Sequence, residues 1–272
     1  MIPASFDYVA VGSLEEAVSR LGELGDEAKV LAGGHSLVPL MRLRLARPTA
    51  LVDITRIPDL DYVRLEGDRL LVGALTRHAT VARSEVVHRH LPLLAEMASQ
   101  VGDPQVRSRG TIGGVMAHAD PAGDFPTLAL MLEAEIVTDR RRIAAADFFQ
   151  YLFTTPLEPD EVVREIAFPV ASGRHAYLKF RRRLFDWAIL GLAVQELDSG
   201  WRVGVTNGGP TPLRALGVER SLAAGEPAER ACRLAAEGLD PISDSRASSE
   251  YRLHLAPVLC HRALERAAAP AA

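Results

Sequence analysis

Residues 32–54, AGGHSLVPLMRLRLARPTALVDI, and residues 111–126, TIGGVMAHADPAGDFP, decide how this chain is read. The first follows Ala28–Ala32 (AKVLA), a short strand-like run. Gly33 and Gly34 then let the backbone take φ > 0 and approach a ligand with no Cβ in the way. Successive amide N–H groups in such a turn point at one anion, the nest geometry used for phosphates, and the Ser36 hydroxyl adds a donor. In the second stretch Thr111 offers a hydroxyl, and Gly113 and Gly114 are read as freeing further amides. Two nests suit a diphosphate better than one. One GG pair by itself is as readily a plain strand-to-turn connection. Neither stretch is GxGxxG, and GxxxxGK is absent because neither lysine, Lys29 or Lys179, follows a glycine. A dinucleotide would be held here in a non-Rossmann way.

Working outward, Ser13 with Glu16 forms a capping box ahead of Ala17, Val18 and Leu21, which predicts a helix ending near Gly22 or Gly25. Ala50–Ile54 and Arg69–Ala74 read as buried strands, Thr76 opens a helix through Val81, and Leu91–Gln100 is helical in pattern. Gly102 to Pro126 is rich in glycine, proline and aspartate and reads as backbone wrapped around a ligand. Helix is predicted over Thr127–Glu135 and strand over Glu135–Thr138. Ile143–Tyr151 and Glu161–Phe168 complete a mixed α+β unit. Pro169 and the following Ala-Ser-Gly mark a boundary, giving domains 1–173 and 174–272. Beyond it, strands Ala176–Arg181 and Gly200–Thr206 flank an apolar segment, Trp187–Glu196, read as a helix. Ala215–Ala267 is mainly helical, and the final AAAPAA reads as frayed.

The chain has 272 residues, 48% hydrophobic and 24% charged, enough for roughly two cored domains. A net charge of -4 supplies no basic surface of the kind that neutralises nucleic-acid phosphates. MIPASFDYVAVGSLEEAV has no cationic segment followed by an apolar one, and no apolar run reaches membrane-spanning length, so a cytoplasmic protein without a transmembrane segment is expected. Cys232 and Cys260 lie outside any ligand-spaced cluster, so the chain builds no disulfide framework, zinc site or iron–sulfur cluster of its own. Metal chemistry must come from partners.

The two glycine stretches, in this order, resemble the paired FAD-binding signatures of the flavin-carrying medium subunit of molybdenum hydroxylases, the family of aerobic carbon monoxide dehydrogenase and the xanthine dehydrogenases. The resemblance covers essentially the whole chain, because YLKFRRRLFDWAILGLAV and VTNGGPTPLRA resemble the start of that family's C-terminal flavoprotein domain. It implies an α+β fold: a two-subdomain FAD-binding domain of the vanillyl-alcohol oxidase/PCMH type, then a smaller domain of antiparallel sheet and helices. It implies FAD in this chain, and a molybdenum-pterin cofactor and [2Fe–2S] clusters in a large and a small partner subunit, assembled as a dimer of heterotrimers. Electrons would pass from the clusters to the flavin and on to an external acceptor, in the cytoplasm, free or peripheral to the inner face of the membrane.

Carried over by position, the resemblance puts Lys29, Val30, Leu31, Ala32, Gly33, Gly34, His35, Ser36 and Leu37 along the first cofactor loop. Thr111, Gly113, Gly114, Val115 and His118 fall on the second. Asp124 matches an acidic position that accepts from ribose hydroxyls. Val101 and Gly102 pass the adenosine part, and Ile166 and Lys179 approach the flavin ring, where a cation would favour a negatively charged reduced ring. Val115 departs from the family wording, which commonly has asparagine or serine there, and supplies only a backbone amide.

Blander readings stand beside these. His118, Asp120 and Asp124 lack a third firm metal ligand, and His35 has no nucleophile partnered with it. Arg181–Arg183 read more readily as a solvated strand end than as a basic patch. Asp186 and Trp187 suit an interface or a core equally. A self-contained FAD oxidase of the vanillyl-alcohol oxidase type would need a substrate domain larger than the roughly 100-residue tail. A non-catalytic scaffold with structural glycine loops would bind no flavin.

Overall fold

The structure, a computed structural model, describes residues 2–269. Among them the strands form three sheets. The first is parallel, in the order β1–β3–β2, from β1 (Asp7–Ala10), β2 (Ala28–Leu31) and β3 (Ala50–Asp53). The second, β4–β5–β8–β6–β7, comprises β4 (Val63–Glu66), β5 (Arg69–Gly73), β6 (Glu135–Thr138), β7 (Arg142–Ala144) and β8 (Val163–Pro169). The third is antiparallel, β12–β11–β10–β9, from β9 (His175–Phe180), β10 (Leu190–Leu197), β11 (Gly200–Thr206) and β12 (Leu213–Arg214).

Helices α1 (Leu14–Leu24) and α2 (Leu37–Arg42) lie within the first sheet's connections. Between β5 and β6 come α3 (His78–Arg83), α4 (Glu85–His90), α5 (Pro92–Gln100), α6 (Pro104–Arg109), α7 (Ile112–His118) and α8 (Asp124–Met131). The short α9 (Ala145–Phe148) follows β7, and α10 (Leu216–Ala223), α11 (Ala228–Ala231) and α12 (Ser249–Ala268) close the chain.

Local signals explain much of this. Ser13 caps α1 by accepting from the Glu16 amide, and Gly25, at φ 78°, ends it. Leu21 and Ala17 are buried by that helix against the parallel sheet. The third sheet works by period two. Ala176, Leu192, Val194, Val203 and Val205 face the core that α12 covers, while Tyr177 and Ala193 face the core containing α5 and α8. The C-terminal sheet is thereby sandwiched between its own last helix and two helices of the preceding unit. Each fully buried leucine or phenylalanine in these layers contributes about 1.5–3 kcal/mol.

Three readings of the sequence are corrected. Trp187–Glu196 is not a helix: Leu190–Leu197 is β10, a strand paired on both edges. Its run Leu-Gly-Leu-Ala-Val is buried on both faces, and an apolar run without alternation cannot be told from helix by period. Gly102–Pro126 is not mainly irregular backbone: it holds α6, α7 and the start of α8, with Asp103 and Thr111 as side-chain caps. At the C-terminus, Ala267 and Ala268 belong to α12 instead of a frayed end, and Pro270–Ala272 lie outside the described residues.

Candidate functional site

A cavity of about 530 Å³ opens at the carboxyl ends of β2 and β3, where parallel sheets place their ligands. That size lies within the range of small-molecule and cofactor sites. Lys29 through Leu37 line one wall without a gap. Thr111, Gly113, Gly114, Val115 and His118 line a second, and Val101 and Asp124 join them.

The first glycine loop has donors to offer. The carbonyls of Gly34 and Ser36 accept from Val38 and Leu40, which starts α2. Among the described residues the amides of Gly33, Gly34, His35, Ser36 and Leu37 have no acceptor in the chain, and the Ser36 hydroxyl makes no cap bond. These five consecutive residues all line the cavity and none is fully buried, so their amides are left available to an anion, and such a run fits the diphosphate of a dinucleotide. Gly34 sits at φ 73°, and a Cβ on Gly33 would overlap the Arg109 carbonyl and stand 3.0 Å from the Gly110 Cα. The absent side chain is what lets the two loops meet.

The second loop is built differently from the nest the sequence suggests. Ile112 donates to the Thr76 carbonyl at 3.0 Å, Gly113 to the Ala74 carbonyl at 2.9 Å, Gly114 to Thr111 Oγ1 at 3.3 Å and Val115 to the Thr111 carbonyl at 3.1 Å. These amides form the capped first turn of α7 and are not free. A Cβ on Gly113 would stand 2.5 Å from the Ala74 Cβ. Its glycine serves close packing of helix on strand end, and the anion reading rests on residues 33–37.

Asp124 lies in the first turn of α8 with its side chain 4% exposed. Its Oδ2 pairs with Lys179 Nζ at 2.7 Å and its Oδ1 accepts from the buried Tyr177 hydroxyl. Lys179 also donates to the Gln100 carbonyl at 3.2 Å. Lys179 therefore does not line the cavity: it stands behind Asp124 and ties β9 to α8 and α5. Ile166 is likewise not at the wall. It is fully buried in the central strand β8, opposite Val72 and Ile136, and that segment reaches the cavity through Val162 and Val163. Gly102 is off the wall too, at φ 44°, its carbonyl accepting from Arg107 at 3.1 Å.

Among the lining residues that escaped the sequence reading are His78, Gly110, Trp187 and the segment from Thr155 to Val163. The last is a Pro-rich connection, TPLEPDEVV, whose only signal was its turn composition. It is pinned by Glu161, which accepts from Arg141 Nε at 2.8 Å, Thr138 Oγ1 at 2.8 Å and the Glu158 amide at 3.1 Å. Burial opposes ionisation of this carboxyl, yet those hydrogen bonds outweigh it and hold the group at about 2. A depressed carboxylate stabilises the fold above its unfolded value of 4.5 and loses that contribution as pH falls toward 2. The wild-type advantage over Glu161→Gln is expected to be about 1–3 kcal/mol at neutral pH. It should shrink through that acid window, and thermal melts of both proteins across pH check it; a gap independent of pH would contradict it. Trp187 is held by its neighbours, since Asn207 Nδ2 donates to the Ala188 carbonyl at 2.7 Å.

Among the described residues no group of three or more His, Cys, Asp or Glu side chains could hold a metal ion, and no helix is long and apolar enough to cross a membrane. Residues 4–171 match the family of the FAD binding domain in molybdopterin dehydrogenase, and residues 175–267 match the CO dehydrogenase flavoprotein C-terminal domain. The chain is 42% identical to the carbon monoxide dehydrogenase medium chain of Hydrogenophaga pseudoflava, over 98% of both chains. It is 37% identical to the 6-hydroxypseudooxynicotine dehydrogenase complex subunit alpha of Paenarthrobacter nicotinovorans, over 98% of this chain and 96% of that one. The solved carbon monoxide dehydrogenase from Hydrogenophaga pseudoflava superposes with a TM-score of 0.94, covering 98% of both chains. With a row of amides unpaired within the chain along the cavity and both domains matched, the chain belongs to the FAD-binding medium subunits of the molybdenum hydroxylases.

Proposed function

We propose that this chain holds one FAD in the cavity and serves as the electron-transfer subunit of a molybdenum hydroxylase. The observation that carries this reading is the row of unpaired amides from Gly33 to Leu37 on the cavity wall. FAD, when bound, supplies a carrier that takes up electrons singly and releases them in pairs. The chain's own part is to bind and orient it: residues 33–37 hold the diphosphate, Thr111 and Asp124 offer acceptors to hydroxyls, and the 155–163 segment and Trp187 keep water from its flanks. The remaining residues assigned to the cofactor, Lys29–Ala32, Val101, Gly113–Val115 and His118, contribute packing surface along the same walls.

We assign the FAD unit to residues 1–173 and the flavoprotein C-terminal unit to 174–272. The electrons come from [2Fe–2S] clusters of a small partner, fed by a large molybdenum-pterin subunit, and leave to an external acceptor, in a cytoplasmic dimer of heterotrimers. Substrate choice belongs to the large subunit: the two relatives named above carry the names of different substrates at 42% and 37% identity to this chain. The test is to purify the chain with and without its partner subunits. Iron, molybdenum and substrate-dependent bleaching of the flavin are expected only in the assembled complex. Substrate oxidation by the chain alone would favour the self-contained oxidase instead.

A further inference from the structure

His78 opens α3 behind the corner where the two loops touch. Its amide donates to the Gly110 carbonyl at 3.0 Å, and its ring packs on Phe125 with centroids 5.0 Å apart. The residue is only 4% exposed, yet it lines the cavity. Among the described residues neither ring nitrogen has a hydrogen-bond partner in the chain. Nδ1 is enclosed, whereas Nε2 faces Gly110, where a Cβ would stand 2.8 Å from it. Glycine at 110 therefore leaves the Nε2 edge of the ring open toward the cavity, and no comparable opening serves Nδ1.

Burial, and then the nearness of His35 and Arg107, lowers this imidazole to about 3. The ring is neutral at any cellular pH and carries one proton. An enclosed donor without a partner is rarer than an enclosed acceptor without one, which favours the proton on Nε2. The corner it faces is the one where Gly33 packs on Gly110, so the unpaired amides that begin at Gly33 share that corner. We propose that His78 is a further cofactor-binding residue, donating its Nε2–H to a diphosphate oxygen of the bound dinucleotide. This inference rests on the flavin reading above.

The full chain, purified with its partner subunits, is stripped of FAD and titrated with it again. Glutamine at 78 places an amide near Nε2, asparagine places one near Nδ1, and phenylalanine keeps the ring on Phe125 with no donor. FAD affinity should stay within about threefold of wild type in His78→Gln and fall about tenfold in His78→Asn and His78→Phe. The ³¹P resonances of bound FAD should move in the phenylalanine variant. In the wild type, ¹⁵N spectroscopy should show Nε2 protonated and Nδ1 bare, with no titration between about pH 5 and 8 and an Nε2 proton that shifts when FAD is added. That measurement decides the matter without any variant, should one fail to fold. If the wild type takes up no FAD, the flavin reading and this assignment both fail. If it binds FAD while all variants bind alike, or Nδ1 carries the proton, only the His78 assignment is overturned.

Discussion

Gly33→Ala is expected to lower FAD affinity about 10- to 100-fold, the equivalent of 1–3 kcal/mol of overpacking at a site that cannot expand freely. The added Cβ has no room, because it would meet the Arg109 carbonyl and, at 3.0 Å, the Gly110 Cα. Either the first loop withdraws from the second or α6 is pushed aside, and both displace the open amides from the corner they share with Gly110. Flavin content after purification, with a titration of the stripped protein, reads the effect. The fold should survive, since the 33–37 loop lies outside the buried cores built on the sheets. Wild-type FAD content and affinity in this variant would show that the close approach at Gly33 has nothing to do with the cofactor.

The second large effect concerns Lys179. Its ammonium and the Asp124 carboxylate are 2% and 4% exposed and 2.7 Å apart. Lys179→Met leaves a buried carboxylate facing only the Tyr177 hydroxyl, and removing one partner of such a pair costs about 3–5 kcal/mol. For a chain of this size the melting temperature should fall by about 10 °C. Adding Asp124→Asn removes the orphaned charge while keeping an acceptor for Tyr177, so the double variant should regain much of the loss. A double variant no more stable than Lys179→Met would mean the pair is not what joins β9 to α8. The same cycle separates stability from binding: flavin affinity should respond to Asp124, which lines the cavity, more than to Lys179, which does not.

Local chemistry made part of the fold legible in the sequence. Ser13, Glu16 and Gly25 fixed α1 at both ends, and the resemblance carried by AGGHS and TIGGV pointed to the wall where those residues stand. Long-range packing was not legible. The burial of β10 on both faces, which removes its alternation, arises only when α12 and α8 close on the sheet from opposite sides. The amides of Gly113 and Gly114 look as free in sequence as those of Gly33 and Gly34. They are engaged because Ala74 and Thr111 lie in reach, and no spacing rule announces that. His78 and the 155–163 segment reach the cavity from positions distant in sequence, where a single histidine or a Pro-rich turn carries no pattern of its own.

The most direct test of the account is the flavin content of the medium chain itself, separated from a complex assembled with its partners and analysed for released cofactor. FAD is expected at one per chain, taken back after removal in competition with ADP, because the row of amides at 33–37 recognises the diphosphate the two share. A chain that comes out of the assembled complex without flavin and takes up none when FAD is supplied would contradict it.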